Sequence, residues 1–139
     1  MANKINLEFF NAYLDLDKLC KEYFEISGGG VSAYIGRLSE FKSAPGRKET
    51  LSRLIKYRKI RNILAHEADG FDDITDITKD DIKWLNEFAK SVKRKADPVS
   101  LYERKRRIND LWLKLRFVFL GLGVVAVIVT VILIINLFK

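Results

Sequence analysis

Apolar residues recur along the chain at the spacing of amphipathic helices. Over residues 3–26 they fall every three or four positions, at Phe9, Tyr13, Leu16, Cys20 and Tyr23. Such a stripe predicts an α-helix with one buried face. Cys20 belongs to it, which favours a buried structural thiol over a reactive one. Shorter stripes predict further helices over residues 31–42, 48–66 and 78–96.

Glycine and proline separate these helices. Residues 27–30 contain three consecutive glycines, which do not fit a helix interior and predict a helix end. The alternative, a phosphate-binding glycine loop, would need a preceding strand and a following Gly-Lys-Ser/Thr, and the sequence has neither. Thr78 is the candidate N-cap of the fourth helix, and the pair Asp97-Pro98 ends that helix. Ser100 is the candidate cap of a fifth helix.

The fifth predicted helix contains a membrane span. Between Phe117 and Phe138 only Thr130 and Asn136 are polar, and roughly 20 apolar residues of helix are enough to cross a bilayer. Six basic residues lie within 104–116, before the span, and a single one follows it. The positive-inside rule therefore predicts a cytosolic N-terminal part and a tail-anchored, single-pass protein. The alternative is a core helix of a larger assembly.

The predicted architecture is all-α. A small four-helix bundle occupies residues 1–98, a basic juxtamembrane stem residues 99–116, and a transmembrane helix residues 117–138. The stem continues into the span as one helix, because no Gly or Pro interrupts it before Gly121. We expect the span to contact membrane lipid and the stem to bind anionic headgroups rather than RNA.

Composition excludes several classes of site. The 139 residues carry a net charge of +7, of which residues 1–98 contribute +2 and residues 99–139 contribute +5. The basic excess therefore accompanies the span and is not a nucleic-acid signature of the whole chain. A single Cys excludes an intrachain disulfide and a Cys-rich zinc site. A single His, His66, excludes sites that need two histidines from one chain, so we expect no metal and no cofactor.

The third predicted helix has a basic surface beside an acidic segment. Residues 42–61 carry a net charge of +7, and residues 62–81 a net charge of −6. A concentrated basic patch can bind a phosphate backbone. In the alternative interpretation the two segments neutralise each other in the fold. Arg61 then forms an ion pair with the acidic loop Asp69–Asp76, and His66 only compensates the dipole at the end of its helix. The candidate ligands of RNA phosphate on this helix are Arg53, Lys56, Arg58 and Lys59.

The spacing near the end of this helix places polar groups together. Arg58, Asn62 and His66 share one face at 100° per residue, so Asn62 can orient the His66 ring. Arg61 lies about 140° from His66 around the axis, but its side chain is long. A histidine with a pKa near 6.5 can remove a proton from a ribose 2′-hydroxyl, and an arginine can stabilise the charge that develops on the adjacent phosphate.

At these residues the sequence resembles the HEPN superfamily, small helical bundles that include many bacterial RNase toxins. Their hallmark is R-x4-6-H, often with a polar residue directly after the arginine, and here it is Arg61-Asn62-Ile63-Leu64-Ala65-His66. The resemblance implies metal-independent RNA cleavage at a site composed from two subunits. Arg61 and His66 would be the catalytic residues, and Asn62 would support them. Ala68 stands where one subgroup has a tyrosine that its antitoxin modifies.

The sequence therefore predicts a homodimeric, membrane-anchored endoribonuclease. The apolar span and the basic residues before it predict a place in the cell inner membrane. The resemblance implies a toxin or phage-defence system, with RNA as substrate and an antitoxin or regulatory protein as a partner. We expect the third helices to pair around Arg58, Asn62 and His66, with Leu51 and Ile55 as the apolar part of the interface. The alternative is a monomer that buries those two apolar side chains. A non-catalytic membrane-anchored adaptor or RNA- or protein-binding scaffold is the alternative function.

Overall fold

The computed structural model describes residues 2–66 and 77–137, which form five α-helices. They are α1 (Ala2–Phe24), α2 (Gly30–Glu40), α3 (Arg47–His66), α4 (Lys79–Lys93) and α5 (Pro98–Leu137). The described residues contain no strand, which confirms the predicted all-α class. The predicted acidic loop lies outside the described residues over positions 67–76.

The core lies between the first four helices. α1 packs against α2, α3 and α4, and α2 also packs against α3. The predicted stripe of α1 is the buried one, with Phe9, Leu16 and Cys20 fully removed from solvent. Burial raises the pKa of the Cys20 thiol to about 12, so the thiol stays protonated and confirms the structural role predicted for it.

A chain of aromatic contacts connects the helices. Phe9 of α1 meets Tyr57 of α3 edge-on, with ring centroids 5.4 Å apart. Tyr57 in turn lies 5.5 Å from Trp84 of α4, which stacks on Phe88 at 4.9 Å. Phe88 then contacts the ring of Tyr34 in α2, at 5.3 Å. Because such pairs add stabilisation beyond their buried area, they fix α3 against both α1 and α4.

The start of α2 lies directly against the backbone of α1. A Cβ at Gly30 would be 2.1 Å from the Asp17 carbonyl oxygen and 2.6 Å from the Lys21 nitrogen. The Asp17 side chain also accepts a hydrogen bond from the Val31 N–H, at 2.9 Å. Gly30, the third glycine of the run, therefore does more than end a helix. Only glycine lets the backbones of α1 and α2 approach so closely.

We predict opposite effects for the same substitution at two glycines of α2. Gly30→Ala should lower the free energy of unfolding by about 3 kcal/mol or more, because its methyl group meets backbone that has no room to move. Gly36→Ala is the matched control: an added Cβ there meets open space, and alanine should stabilise the helix by up to about 1 kcal/mol. Denaturant unfolding of both variants would measure this. Equal effects of the two would contradict the close approach of α1 and α2.

Capping residues fix the starts of α4 and α5. Thr78 forms a capping box with Asp81, as expected for the N-cap of α4. The predicted cap of the last helix is wrong, however, because α5 begins two residues before Ser100, at Pro98. Asp97 is the cap: its Oδ1 accepts the N–H groups of Val99 and Ser100 at 3.0 and 3.2 Å. Proline suits the first helical position, since no N–H is needed there.

Asp97 also connects α5 to α2. The Tyr34 hydroxyl donates to Asp97 Oδ1 at 2.6 Å in a fully buried setting. Oδ2 of the same carboxylate is buried without a hydrogen-bond partner among the described residues. Ser100, displaced from the capping role, instead shares a 3.0 Å hydrogen bond with the Tyr23 hydroxyl.

The chain divides into two compact units, Met1–Tyr102 and Glu103–Lys139. Because Val99 and Ser100 are buried in the first unit, a soluble fragment should extend to residue 102 rather than end at residue 98. In the second unit, α5 is the one helix of the described chain that is long and apolar enough to cross a membrane, judged by length and composition. Its most apolar 18-residue stretch has a mean hydropathy of 3.2, and none of it is buried.

Candidate functional site

The predicted catalytic motif lies at the C-terminal end of α3. Arg61 is half-buried and Asn62 is exposed. His66 is the last residue of the helix, and its side chain lies outside the described part of the structure. The backbone therefore places Arg61 and His66 on one helix, five residues apart.

A cavity of about 270 Å³ lies beside this end of α3. Its walls come from α1, from the start of α2 and from α3. The lining residues are Tyr13, Asp17, Lys21, Gly29, Ser32, Arg58, Arg61 and Asn62. Three of the lining residues, Arg58, Arg61 and Asn62, are predicted site residues. The other five were not selected by the sequence analysis.

The two arginines in the cavity have no carboxylate partner within 4.0 Å among the described residues. Arg58 Nη1 donates to the Ser32 hydroxyl at 3.4 Å, and Arg61 Nη1 donates to Asn62 Oδ1 at 3.3 Å. Arg61 Nε is buried and has no hydrogen-bond partner in the described structure. Two neighbouring guanidinium groups that no carboxylate of the described residues neutralises favour the binding of an anion.

The one carboxylate in the cavity is already compensated. Asp17 Oδ2 forms an ion pair with Lys21 at 2.9 Å, while its Oδ1 accepts the N–H of Val31. Asp17 thereby holds the start of α2 against α1 and neutralises Lys21. The formal charge that remains in the cavity is that of Arg58 and Arg61.

Tyr13 lines the cavity, and its phenol lies close enough to Asp17, Arg61 and Arg58 to interact with their charges. Burial, followed by the negative charge of Asp17, raises the pKa of Tyr13 to about 12, although Arg61 and Arg58 act in the opposite direction. The phenol therefore keeps its proton at neutral pH and can donate a hydrogen bond to an anion. Tyr13 belongs to the apolar stripe of α1, so its spacing alone indicated only a core residue.

The other predicted phosphate ligands lie on a different side of α3. Arg53 forms an ion pair with Glu49 at 3.2 Å and lies 5.3 Å from the Trp84 ring of α4. Lys56 Nζ is 3.9 Å from Asp81 of α4. The structure thus directs these two cations towards α4 and away from the cavity, because they lie about 140–160° from Arg58 around the helix axis.

Asp81 is the acidic centre of the contact between α3 and α4. Burial acts to raise its pKa, but hydrogen bonds from the Thr78 N–H and from the Tyr57 hydroxyl, 2.8 Å away, hold that pKa below its usual value. Lys56 adds to the same effect. Asp81 thus remains charged at neutral pH. It forms an ion pair with Lys56, a cation that was expected to face RNA. Lys59 is exposed and does not line the cavity.

The face expected to form a dimer interface is only partly used by the monomer. Leu51 packs half-buried against the core, whereas Ile55 is 36% exposed. Ile63, eight residues further along α3, is 38% exposed. Some apolar surface of α3 is therefore available to another molecule.

The described residues contain no group of three or more His, Cys, Asp or Glu side chains that could hold a metal ion.

One family profile matches this chain. It is described as Family of unknown function (DUF6548), and the match covers residues 7–116. The matched region contains most of α1, all of α2, α3 and α4, and the basic segment that precedes the span. No curated protein and no solved structure matches the chain significantly.

Proposed function

Because the chain belongs to the DUF6548 family of unknown function, its relatives assign no activity, and we propose one from its own residues: a membrane-anchored, metal-independent endoribonuclease of the HEPN type. The observation that supports it best is the environment of Arg61. Its guanidinium has no carboxylate partner among the described residues and donates a hydrogen bond to Asn62 Oδ1. Arg61 lies five residues before the only histidine of the chain.

In the proposed reaction, His66 removes the proton of a ribose 2′-hydroxyl. The 2′-oxygen forms a bond to the adjacent phosphorus, and the bond between that phosphorus and the 5′-oxygen breaks. The leaving 5′-oxygen takes up a proton, and the products are a 2′,3′-cyclic phosphate and a 5′-hydroxyl. Arg61 stabilises the charge on the phosphate oxygens as it develops, while Asn62 holds the guanidinium by the 3.3 Å hydrogen bond.

A second copy of the chain would complete this site. One chain has a single histidine, but the reaction needs a base on one side of the phosphorus and an acid on the other. A two-fold interface brings the His66 of the partner subunit without any further residue. The exposed Ile55 and Ile63 on α3 are available to such an interface.

The proposed location is the inner membrane, with the first unit in the cytosol. Six basic residues within 104–116 precede the apolar part of α5, which favours retention of that side in the cytosol. The basic residues closest to the apolar stretch, Lys114 and Arg116, lie at headgroup level and would bind anionic lipid. We place the enzyme in a toxin or phage-defence system, where an antitoxin or regulatory protein would control its activity. Membrane anchoring would keep the enzyme close to the signal that activates it.

The topology gives a prediction of its own. Protease added outside sealed spheroplasts should leave the first unit, residues 1–102, intact. Protease added to inverted membrane vesicles, which expose the cytosolic face, should digest it. Immunoblotting with a tag at the N-terminus would follow both. Digestion from outside sealed spheroplasts would show the opposite orientation.

The activity is tested by incubating the purified full-length protein with RNA in excess EDTA, beside His66→Ala. The endoribonuclease proposal requires degradation by the wild type and its loss in the variant. Intact RNA under all conditions would favour the alternative, a membrane-anchored adaptor without catalysis.

A further inference from the structure

We propose that the cavity between α1, α2 and α3 is a phosphate-binding subsite, in which Tyr13 and Ser32 join Arg58 and Arg61 around one phosphate group. The proposal rests on the proposed endoribonuclease function and extends it, since the phosphate bound there would belong to the RNA backbone. It adds residues from two further helices to a site that the sequence motif confined to α3.

The charge of the cavity fits an anion. Arg58 and Arg61 are both present without a carboxylate partner in the described residues, and Asp17 is taken by Lys21 and by the backbone of α2. A phosphate between the two guanidinium groups would supply a counter-charge that the described residues do not provide. Guanidinium groups bind phosphate oxygens through charge-assisted hydrogen bonds.

The uncharged groups of the cavity suit the same ligand. The Tyr13 hydroxyl is protonated at neutral pH, and the Ser32 hydroxyl already accepts a hydrogen bond from Arg58, so both can donate to phosphate oxygens. The start of α2 borders the cavity through Gly29 and Ser32, and the positive end of a helix dipole favours an anion.

Size limits what can enter. A cavity of about 270 Å³ is too small for a folded RNA element but accommodates a phosphate with part of its attached sugar. The subsite is therefore expected to bind one phosphate of a single strand, next to the phosphate that reacts. Arg61, whose guanidinium has five N–H donors, would contact both phosphates. Because Arg58 lies one helical turn before Asn62 on α3, strand and helix would run side by side towards His66.

The experiment measures thermal unfolding of the full chain in a maltoside detergent, which contains no phosphate. Inorganic phosphate is titrated at constant ionic strength against chloride. Specific binding raises the melting temperature with phosphate concentration, and the half-saturating concentration follows from the titration. We expect Arg58→Gln to raise that concentration by at least about tenfold, as loss of a charged hydrogen-bonding partner does.

Two further variants localise the effect. Tyr13→Phe removes one donor and should raise the half-saturating concentration about threefold to tenfold. Lys48→Gln is the matched control, because it removes one positive charge from an exposed position of the same helix outside the cavity. It should change phosphate binding less than about twofold. An equal loss in Lys48→Gln and Arg58→Gln would mean general charge attraction, and would overturn the subsite.

RNA cleavage separates this proposal from the activity itself. Arg58→Gln should raise KM for RNA more than it lowers kcat, because Arg58 positions the strand and does not act on the reacting atoms. Phosphate binding without any RNA cleavage would keep the subsite and reject the endoribonuclease. Cleavage without a phosphate effect on the melting temperature would keep the endoribonuclease and reject the subsite.

Discussion

Arg61→Ala and His66→Ala should each lower the rate of RNA cleavage by at least about a hundredfold. Removing a group that stabilises transition-state charge costs about 10²–10³ in rate, and removing a general base costs a similar or larger factor. The loss should appear in kcat, because both residues act on the reacting phosphate. Single-turnover cleavage of a fluorescent RNA in EDTA would measure it.

Controls separate chemistry from folding. Lys48→Ala changes an exposed cation on the same helix and should cleave RNA at the wild-type rate. Arg61→Lys keeps the charge but loses the planar guanidinium, so it should recover only part of the activity. Circular dichroism should give all variants the same helix content. Wild-type rates in folded His66→Ala would reject the proposed role of the histidine.

Two inactive variants should restore activity when they share a dimer. If the site combines residues from both subunits, mixed dimers of co-expressed Arg61→Ala and His66→Ala chains retain one Arg61 and one His66 at the shared site, so they should recover part of the activity. Different affinity tags allow the mixed dimer to be purified by two successive steps. We expect its cleavage rate to exceed that of either parent by about tenfold or more, since each parent lacks a catalytic group at every site.

The oligomeric state is an independent part of this prediction. Sedimentation of the detergent-solubilised chain should show two copies per particle. Replacing Ile55 with Glu should weaken the dimer, because that side chain is 36% exposed in the monomer and contributes apolar surface to the proposed interface. Confirmed mixed dimers without activity would show that the two subunits do not share a site.

Periodicity was sufficient to predict the first four helices because each one buries an apolar stripe, whereas α5 is largely exposed and was predicted from its long apolar run. The stripe of α1 and the cap of α4 at Thr78 were both predicted correctly. The start of α5 was wrong, since Asp97 and Ser100 are both good capping residues and local sequence does not rank them. Tertiary contacts select Asp97 as the cap. The Tyr34 hydroxyl donates a hydrogen bond to Asp97, whereas the Ser100 hydroxyl is hydrogen-bonded to Tyr23.

From the sequence, site residues could be grouped only where they lie on the same helix. Arg58, Arg61 and Asn62 could be grouped because they are close in sequence, and the structure places them in one cavity. Tyr13 and Ser32 come from other helices, so their proximity depends on packing that no local pattern encodes. Their residue types gave no separate signal, since Tyr13 has the spacing of a core residue.

The sequence does indicate which basic residues of α3 face the cavity and which face α4. Counting the charges of the segment hides this signal. At 100° per residue, Arg53 and Lys56 lie on the opposite side of the helix from Arg58. The net charge of a segment does not contain this information, but a helical projection does. Acidic partners on neighbouring turns and helices, Glu49 and Asp81, then determine which cations are neutralised.

The chemical identity of the cut RNA ends is the most direct test of the proposed mechanism. A pool of single-stranded RNA of mixed sequence would be incubated with the full-length protein in EDTA, and the fragments analysed by mass spectrometry. We predict 2′,3′-cyclic phosphate and 5′-hydroxyl ends with the wild type, none with His66→Ala, and intact DNA of the same sequences. Ends with a 5′-phosphate, cleavage only after Mg²⁺ is restored, or identical fragments from His66→Ala would contradict it.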